Sequence, residues 1–100
     1  MTDREILDSI YENSVSGMTE LIYTYADLVY KVVYEVLSDV GTQEDMEDCI
    51  CDSFVAFFDN IDTVDFECGS IKGYLGVIAR RRAVNLRYTL NPDDEMAFDE

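Results

Sequence analysis

Apolar residues recur along this chain at intervals of three and four, the period of a helix with one buried face. Ile6, Leu7, Ile10 and Tyr11 form a short stripe of this kind, and Thr2 with Glu5 three residues on predicts a capping box at its start. Ser14-Val15-Ser16-Gly17 interrupts the pattern and predicts a break. A longer stripe follows in Leu21, Ile22, Tyr25, Leu28, Val29, Val32, Val33, Val36 and Leu37, with Tyr23, Tyr30 and Tyr34 on the opposite side. A helix apolar on one side and aromatic on the other predicts a central element packed by more than one neighbour. Asp39-Val40-Gly41 reads as a turn, and Thr42 with Asp45 caps a third helix. The inner face of that helix is Met46, Ile50, Ser53, Phe54, Phe57 and Ile61. Residues 60–69 read as a loop holding one turn of 3₁₀ helix. Ser70 caps a fourth helix, and Asn91-Pro92 ends it, because proline cannot continue a helix and restricts the residue before it. The pattern predicts an all-α fold, a compact bundle of four helices over residues 3–13, 18–38, 43–60 and 70–89. No strand pattern or internal repeat stands out. The domain spans residues 1–90, and the acidic residues 91–100 read as a linker or tail.

Charge changes this picture most at the fourth helix. Residues 1–70 carry 17 acids and 2 bases, residues 71–90 carry 5 bases and no acid, and residues 91–100 carry 5 acids. One cationic helix on a body of net charge −15 is the footprint of a local contact with a polyanion. The sign of the total excludes attraction to DNA over the whole surface, so such a protein needs help to reach nucleic acid. With no histidine, Ser-His and Cys-His catalysis and most transition-metal sites are excluded. The odd cysteines Cys49, Cys51 and Cys68 lack a disulfide framework. No apolar run approaches the roughly 18 residues of a membrane span. The start, Met1-Thr2-Asp3-Arg4-Glu5, lacks the pattern of a signal peptide, so the chain is expected in the cytoplasm, with no membrane partner.

At about 100° per residue, Lys72, Gly76, Arg80, Ala83 and Arg87 fall in one stripe of the fourth helix, opposite Ile71, Tyr74, Leu75, Ile78 and Leu86. Small residues between cations let a phosphate backbone approach, and Tyr74 offers a ring for base stacking. A solvated basic face offsetting the acidic body is the plainer alternative. Arg82 projects toward the apolar side and is expected to pair with a carboxylate inside the bundle. On the third helix, Glu44, Asp48, Cys51, Asp52, Val55, Phe58 and Asp59 share the outward face, with Asp45 and Glu47 at its edges. An apolar centre of Val55 and Phe58 with an acidic rim suits a protein partner with a basic rim, against the alternative of a merely solvated acidic face. Mg²⁺ or Ca²⁺ at these carboxylates is the weaker reading, because the calcium-loop pattern is absent. Cys49 and Cys51 point to nearly opposite sides, so no disulfide or chelate joins them.

Four segments, in order, give the chain a resemblance to the second conserved region of bacterial RNA polymerase sigma factors of the extracytoplasmic-function group. Tyr25-Ala26-Asp27-Leu28-Val29-Tyr30 is similar to the family's first core helix. Glu47-Asp48-Cys49-Ile50-Cys51-Asp52-Ser53-Phe54 is similar to its "AED-x-x-Q-x-x-F" helix, which binds the clamp helices of the polymerase largest subunit. Val64-Asp65-Phe66-Glu67-Cys68-Gly69-Ser70-Ile71-Lys72-Gly73-Tyr74-Leu75 resembles "FDPERGSFRAWL", and Ile78-Ala79-Arg80-Arg81-Arg82-Ala83-Val84-Asn85 resembles "IARNxAID". Cys51 stands where the family has Gln, Tyr74 where it has Trp, and Arg81 where it has Asn. The resemblance implies a non-enzymatic domain, without cofactor or metal, that binds core RNA polymerase and recognises and melts the −10 promoter element. It places Lys72, Tyr74, Arg80, Arg81, Asn85, Arg87, Asp65, Phe66 and Ser70 at the non-template strand. It places Asp45, Asp48, Cys51, Asp52, Val55, Phe58 and Asp59 at the polymerase. An anti-sigma factor is a further partner the family allows, and since family members continue into a second domain that reads the −35 element, the chain is expected to be a fragment or a lone domain. The rival readings are a helical adaptor or sigma/anti-sigma interaction module that binds no DNA, and, more remotely, an enzyme using the carboxylates of residues 44–52.

Overall fold

Each helix of this chain begins where a side-chain oxygen takes up backbone N–H groups that have no partner within the helix. The computed structural model describes residues 2–63 and 69–92. It contains α1 (Asp3–Glu12), α2 (Ser14–Leu37), α3 (Gln43–Asp59), a 3₁₀ turn (Ile61–Thr63) and α4 (Ile71–Leu90), with no strand among the described residues. Thr2 and Glu5 form a reciprocal box at α1, as Thr42 and Asp45 do at α3. At α4 the Ser70 hydroxyl oxygen accepts from the Gly73 N–H at 3.1 Å. Residues 93–100, most of the expected tail, lie outside the described residues, as does the Val64–Cys68 stretch of the expected loop. No described helix is long and apolar enough to cross a membrane.

The joint between α1 and α2 differs from the expected four-residue break. Asn13 alone makes it. Its backbone is extended, its N–H closes α1 on the Ser9 carbonyl at 2.8 Å, and its side-chain oxygen accepts from the Val15 and Ser16 N–H groups. Ser14 to Gly17 are therefore the first turn of α2. Gly17 is buried at the crossing, where an added Cβ would stand 2.3 Å from the Ile10 nitrogen. The glycine marks a close approach of two backbones rather than an interruption.

α2 packs against α1, α3 and α4, and α3 also packs against α4. Between them lie Ile6 and Ile10 of α1, Leu21, Val29, Val33 and Leu37 of α2, Phe54 and Phe57 of α3, and Ile71, Leu75, Ala79 and Ala83 of α4. Phe57, fully buried, contributes roughly 1.5–3 kcal/mol by leaving water. The tyrosine side of α2 is not a second packing face. Tyr23 is 87% exposed, and Tyr30 and Tyr34 stack on one another in the open with centroids 5.8 Å apart.

Candidate functional site

The buried side of α4 is mostly a row at intervals of four, Ile71, Leu75, Ala79, Ala83 and Arg87, with Val84 beside it. That row overturns part of the expected basic stripe. Ala79 and Ala83, both 0% exposed, are small because α4 lies close against α2, not to admit a phosphate backbone. Arg87 continues the row and is only 7% exposed. Its guanidinium donates to the Val36 carbonyl at 2.7 Å and to the two Asp39 carboxylate oxygens at 2.5 and 3.0 Å. Hydrogen bonding from Arg87 holds the Asp39 carboxyl below its ordinary range. Arg87 thus ties α4 to the C-terminal end of α2, whose last carbonyls lack helical partners. It leaves the set of residues placed at DNA, and takes the inward carboxylate-pairing role expected of Arg82.

The other four cations of α4 stand exposed: Lys72 and Arg80 on one flank, Arg81 and Arg82 on the other. Among the described residues, none of the four is ion-paired, while Arg4 pairs with Asp8 and Arg87 with Asp39. Tyr74, Arg81 and Asn85, spaced by seven and four, share one face. Arg81 and Asn85 are exposed there, and Tyr74 is half-buried. The Tyr74 ring lies over Gly69, where an added Cβ would stand 2.9 Å from a ring carbon. The close seat holds the ring beside the start of the helix. Ser70 is exposed but spends its hydroxyl oxygen on the cap. Asp65 and Phe66 lie outside the described residues.

α3 presents Asp48, Cys51, Asp52, Val55 and Asp59 to solvent, with Val55 56% exposed among the acids. Phe58 departs from the expected open face: it is half-buried and packs against the core. Asp45 is half-buried, and one of its oxygens accepts from the Thr42 N–H at 2.9 Å, so the cap claims much of its carboxylate. Cys49 faces inward and Cys51 outward. Burial, reinforced by the charge of Asp52, pushes the Cys49 thiol up, so it stays protonated and is a poor nucleophile. Among the described residues, no group of three or more carboxylates or thiols stands ready to hold a metal ion.

Between these surfaces runs a groove of about 500 Å³. One wall is Cys49, Asp52 and Ala56 of α3 with its C-terminal cap Asn60, and the other includes Arg81, Arg82 and Asn85 of α4. Arg82 therefore opens onto a groove instead of the bundle interior. The expected polymerase-side acid Asp52 and the expected DNA-side groups Arg81 and Asn85 share this one feature. Sequence periodicity treats helices one at a time and gives no sign of it. The groove's polar walls and wide mouth suit an extended polar chain better than a small apolar ligand.

Likeness to known proteins bears on what this surface does. The family described as Sigma-70 region 2 matches residues 21–89. No curated protein and no solved structure matches the chain.

Proposed function

The chain belongs to the sigma-70 region 2 family, and from that membership we propose that it is the promoter-melting domain of a bacterial sigma factor of the extracytoplasmic-function group. It performs no covalent chemistry, and the polymerase supplies the reaction. The observation that carries the DNA side of this reading is the isolation of the α4 cations. The chain holds 22 acids against 7 bases. Acidic partners abound, yet Lys72, Arg80, Arg81 and Arg82 pair with none among the described residues. Cations kept clear of so many carboxylates suit an external polyanion.

In this mechanism Lys72 and Arg80 contact phosphates, which positions the strand without reading it. Tyr74, Arg81 and Asn85 form the face on which unpaired bases stack and find hydrogen bonds, beside Ser70 and the segment that carries Asp65 and Phe66. Holding the non-template strand in that state favours the melted −10 element over the duplex. Asp48, Asp52 and Asp59, with Cys51 and Val55 between them, meet the clamp helices of the largest polymerase subunit through a basic rim. Phe58 and Asp45 support that surface from behind. Docking solves the problem posed by a net charge of −15: the enzyme delivers the domain to DNA that the free domain would approach only weakly.

Open-complex formation by polymerase with the complete factor tests the reading. Lys72→Ala with Arg80→Ala is expected to reduce promoter melting and crosslinking to the non-template strand. Asp52→Arg is expected to weaken binding to the clamp helices by setting like charge against a basic partner. Intact melting and crosslinking in the double variant would make the α4 cations a solvated surface. Unchanged clamp affinity in Asp52→Arg combined with Val55→Ala would remove the α3 surface.

A further inference from the structure

α1 lies outside the family match, which begins at residue 21, yet it touches both ends of the connection from α3 to α4. At its start, Asp3 accepts the Tyr25 hydroxyl on one carboxylate oxygen at 2.6 Å and the Ile71 N–H on the other at 3.0 Å. At its other end, the Tyr11 hydroxyl donates to Asp62 in the 3₁₀ turn at 2.8 Å. Burial, then the bond to Asp3, pushes the Tyr25 phenol up to about 12, so this donor stays protonated. The Asp62 bond raises the Tyr11 phenol in the same direction. Asp62 and Ile71 are nine residues apart in sequence, a length that extended chain could stretch to about 30 Å. Asp3 and Tyr11 are separated by about 12 Å of helix rise. A rigid rod therefore bonds both Asp62 and Ile71, which chain length alone would let stand much farther apart.

We propose that α1 is a ruler for the strand-holding end of the domain, with Asp3 and Tyr11 as positioning residues that fix the first turn of α4 relative to the 3₁₀ turn. The argument that this matters for DNA rests on the proposed function, because that first turn carries Lys72 and Tyr74. The Tyr11 contact has little other purpose. Tyr11 is 64% exposed, so its hydroxyl bond contributes little to the stability of the whole fold. Asp3 does more: its carboxylate takes the first N–H of α4 and adds negative charge at that helix's positive end. Together they restrict how far the first turn of α4 can tilt without breaking the core.

The test uses the intact chain with Asp3→Ala, Tyr11→Phe, their combination, and Asp3→Asn, which keeps one acceptor. Amide hydrogen exchange by NMR reads the Ile71 N–H directly. The Ile71 amide should exchange about tenfold faster in the double variant, the loss expected for one charge-assisted hydrogen bond. Val29 and Val33, which open only with the whole fold, should rise by just the loss of global stability that urea unfolding of the same variant reads, and by less than Ile71. Asp3→Asn should recover part of the protection. Unchanged exchange at Ile71, or an equal rise at Val29 and Val33, overturns the ruler. A second arm measures binding to a panel of short single-stranded oligodeoxynucleotides that differ at one base. If the unsubstituted chain binds none even when joined to polymerase, while Ile71 behaves as expected, the DNA reading fails and the ruler stands. If it binds and the double variant keeps the same preferences, the positioning does not serve strand recognition and that part of the proposal is wrong.

Discussion

Replacing Arg87 by methionine separates the structural cation of α4 from the exposed ones. Methionine keeps most of the buried stem and removes the guanidinium, so the cavity left behind is small. The Val36 carbonyl loses a charged donor at 2.7 Å in a site only 7% exposed. A buried hydrogen bond of that kind is worth about 1.5–3 kcal/mol, and Asp39, on the open side of the contact, adds little to that. A loss of about 2 kcal/mol lowers the melting temperature of a domain this size by roughly 8–16 °C. Acid sensitivity supplies a second signature. The folded-state pKa of Asp39 is depressed, so its contribution is present above the unfolded value of 3.8 and is lost as pH falls through the lower folded value. In Arg87→Met that part of the acid destabilisation below about pH 4 should vanish. Thermal unfolding by circular dichroism at pH 7 and at pH 3 measures both. A melting temperature within a degree or so of the unsubstituted chain, together with a weakened salt dependence of DNA binding, would refute the assignment and return Arg87 to the DNA surface.

Lys72→Ala with Arg80→Ala should leave the melting temperature nearly unchanged while reducing the salt slope of single-strand binding by about 1.4, roughly 0.7 for each phosphate no longer neutralised. An unchanged slope in a filter-binding titration would count against both cations as phosphate ligands. Gly17→Ala should destabilise the chain by about 1–3 kcal/mol, because a Cβ 2.3 Å from the Ile10 nitrogen meets backbone that cannot rotate away. An unaltered urea midpoint would show that α1 and α2 part without cost. In a chain carrying Cys68→Ser, iodoacetamide at pH 8 should alkylate exposed Cys51 well before buried Cys49, whose thiol is pushed up by burial. Equal rates by mass spectrometry would contradict that placement.

What was legible in the sequence was local. The caps at Thr2, Thr42 and Ser70 depend on residues three apart, and the inner face of α3 depends on one helical period. The exposure of Lys72 and Arg80 followed from the same arithmetic, whereas Arg81 and Asn85 were legible only through the family resemblance. Errors arose where one backbone meets another. Gly17 looked like a breaker because its reason for being glycine is Ile10 across the crossing. Arg87 looked like a surface cation because charge outweighed position, though the interval of four from Ile71 through Leu75, Ala79 and Ala83 already pointed inward. The expectation that α2 is central holds, since it meets α1, α3 and α4, but Tyr23, Tyr30 and Tyr34 themselves face solvent. The groove that joins Asp52 to Arg81 and Asn85 depends on how α3 and α4 dock, which no single-helix pattern encodes.

The one-residue joint at Asn13 has a consequence for the order in which the chain assembles. Closing α1 onto α2 confines almost no intervening chain, so its entropic cost is small and the contact can form early. The bond from Arg87 to the Val36 carbonyl joins residues 51 apart and closes a loop containing the whole of α3. Docking of the last part of α4 is therefore expected late, after the folding barrier. Kinetically, Gly17→Ala should slow refolding, while Arg87→Met should leave refolding nearly unchanged and speed unfolding. The helix proposed to hold the promoter strand is then the piece whose release begins the loss of the fold.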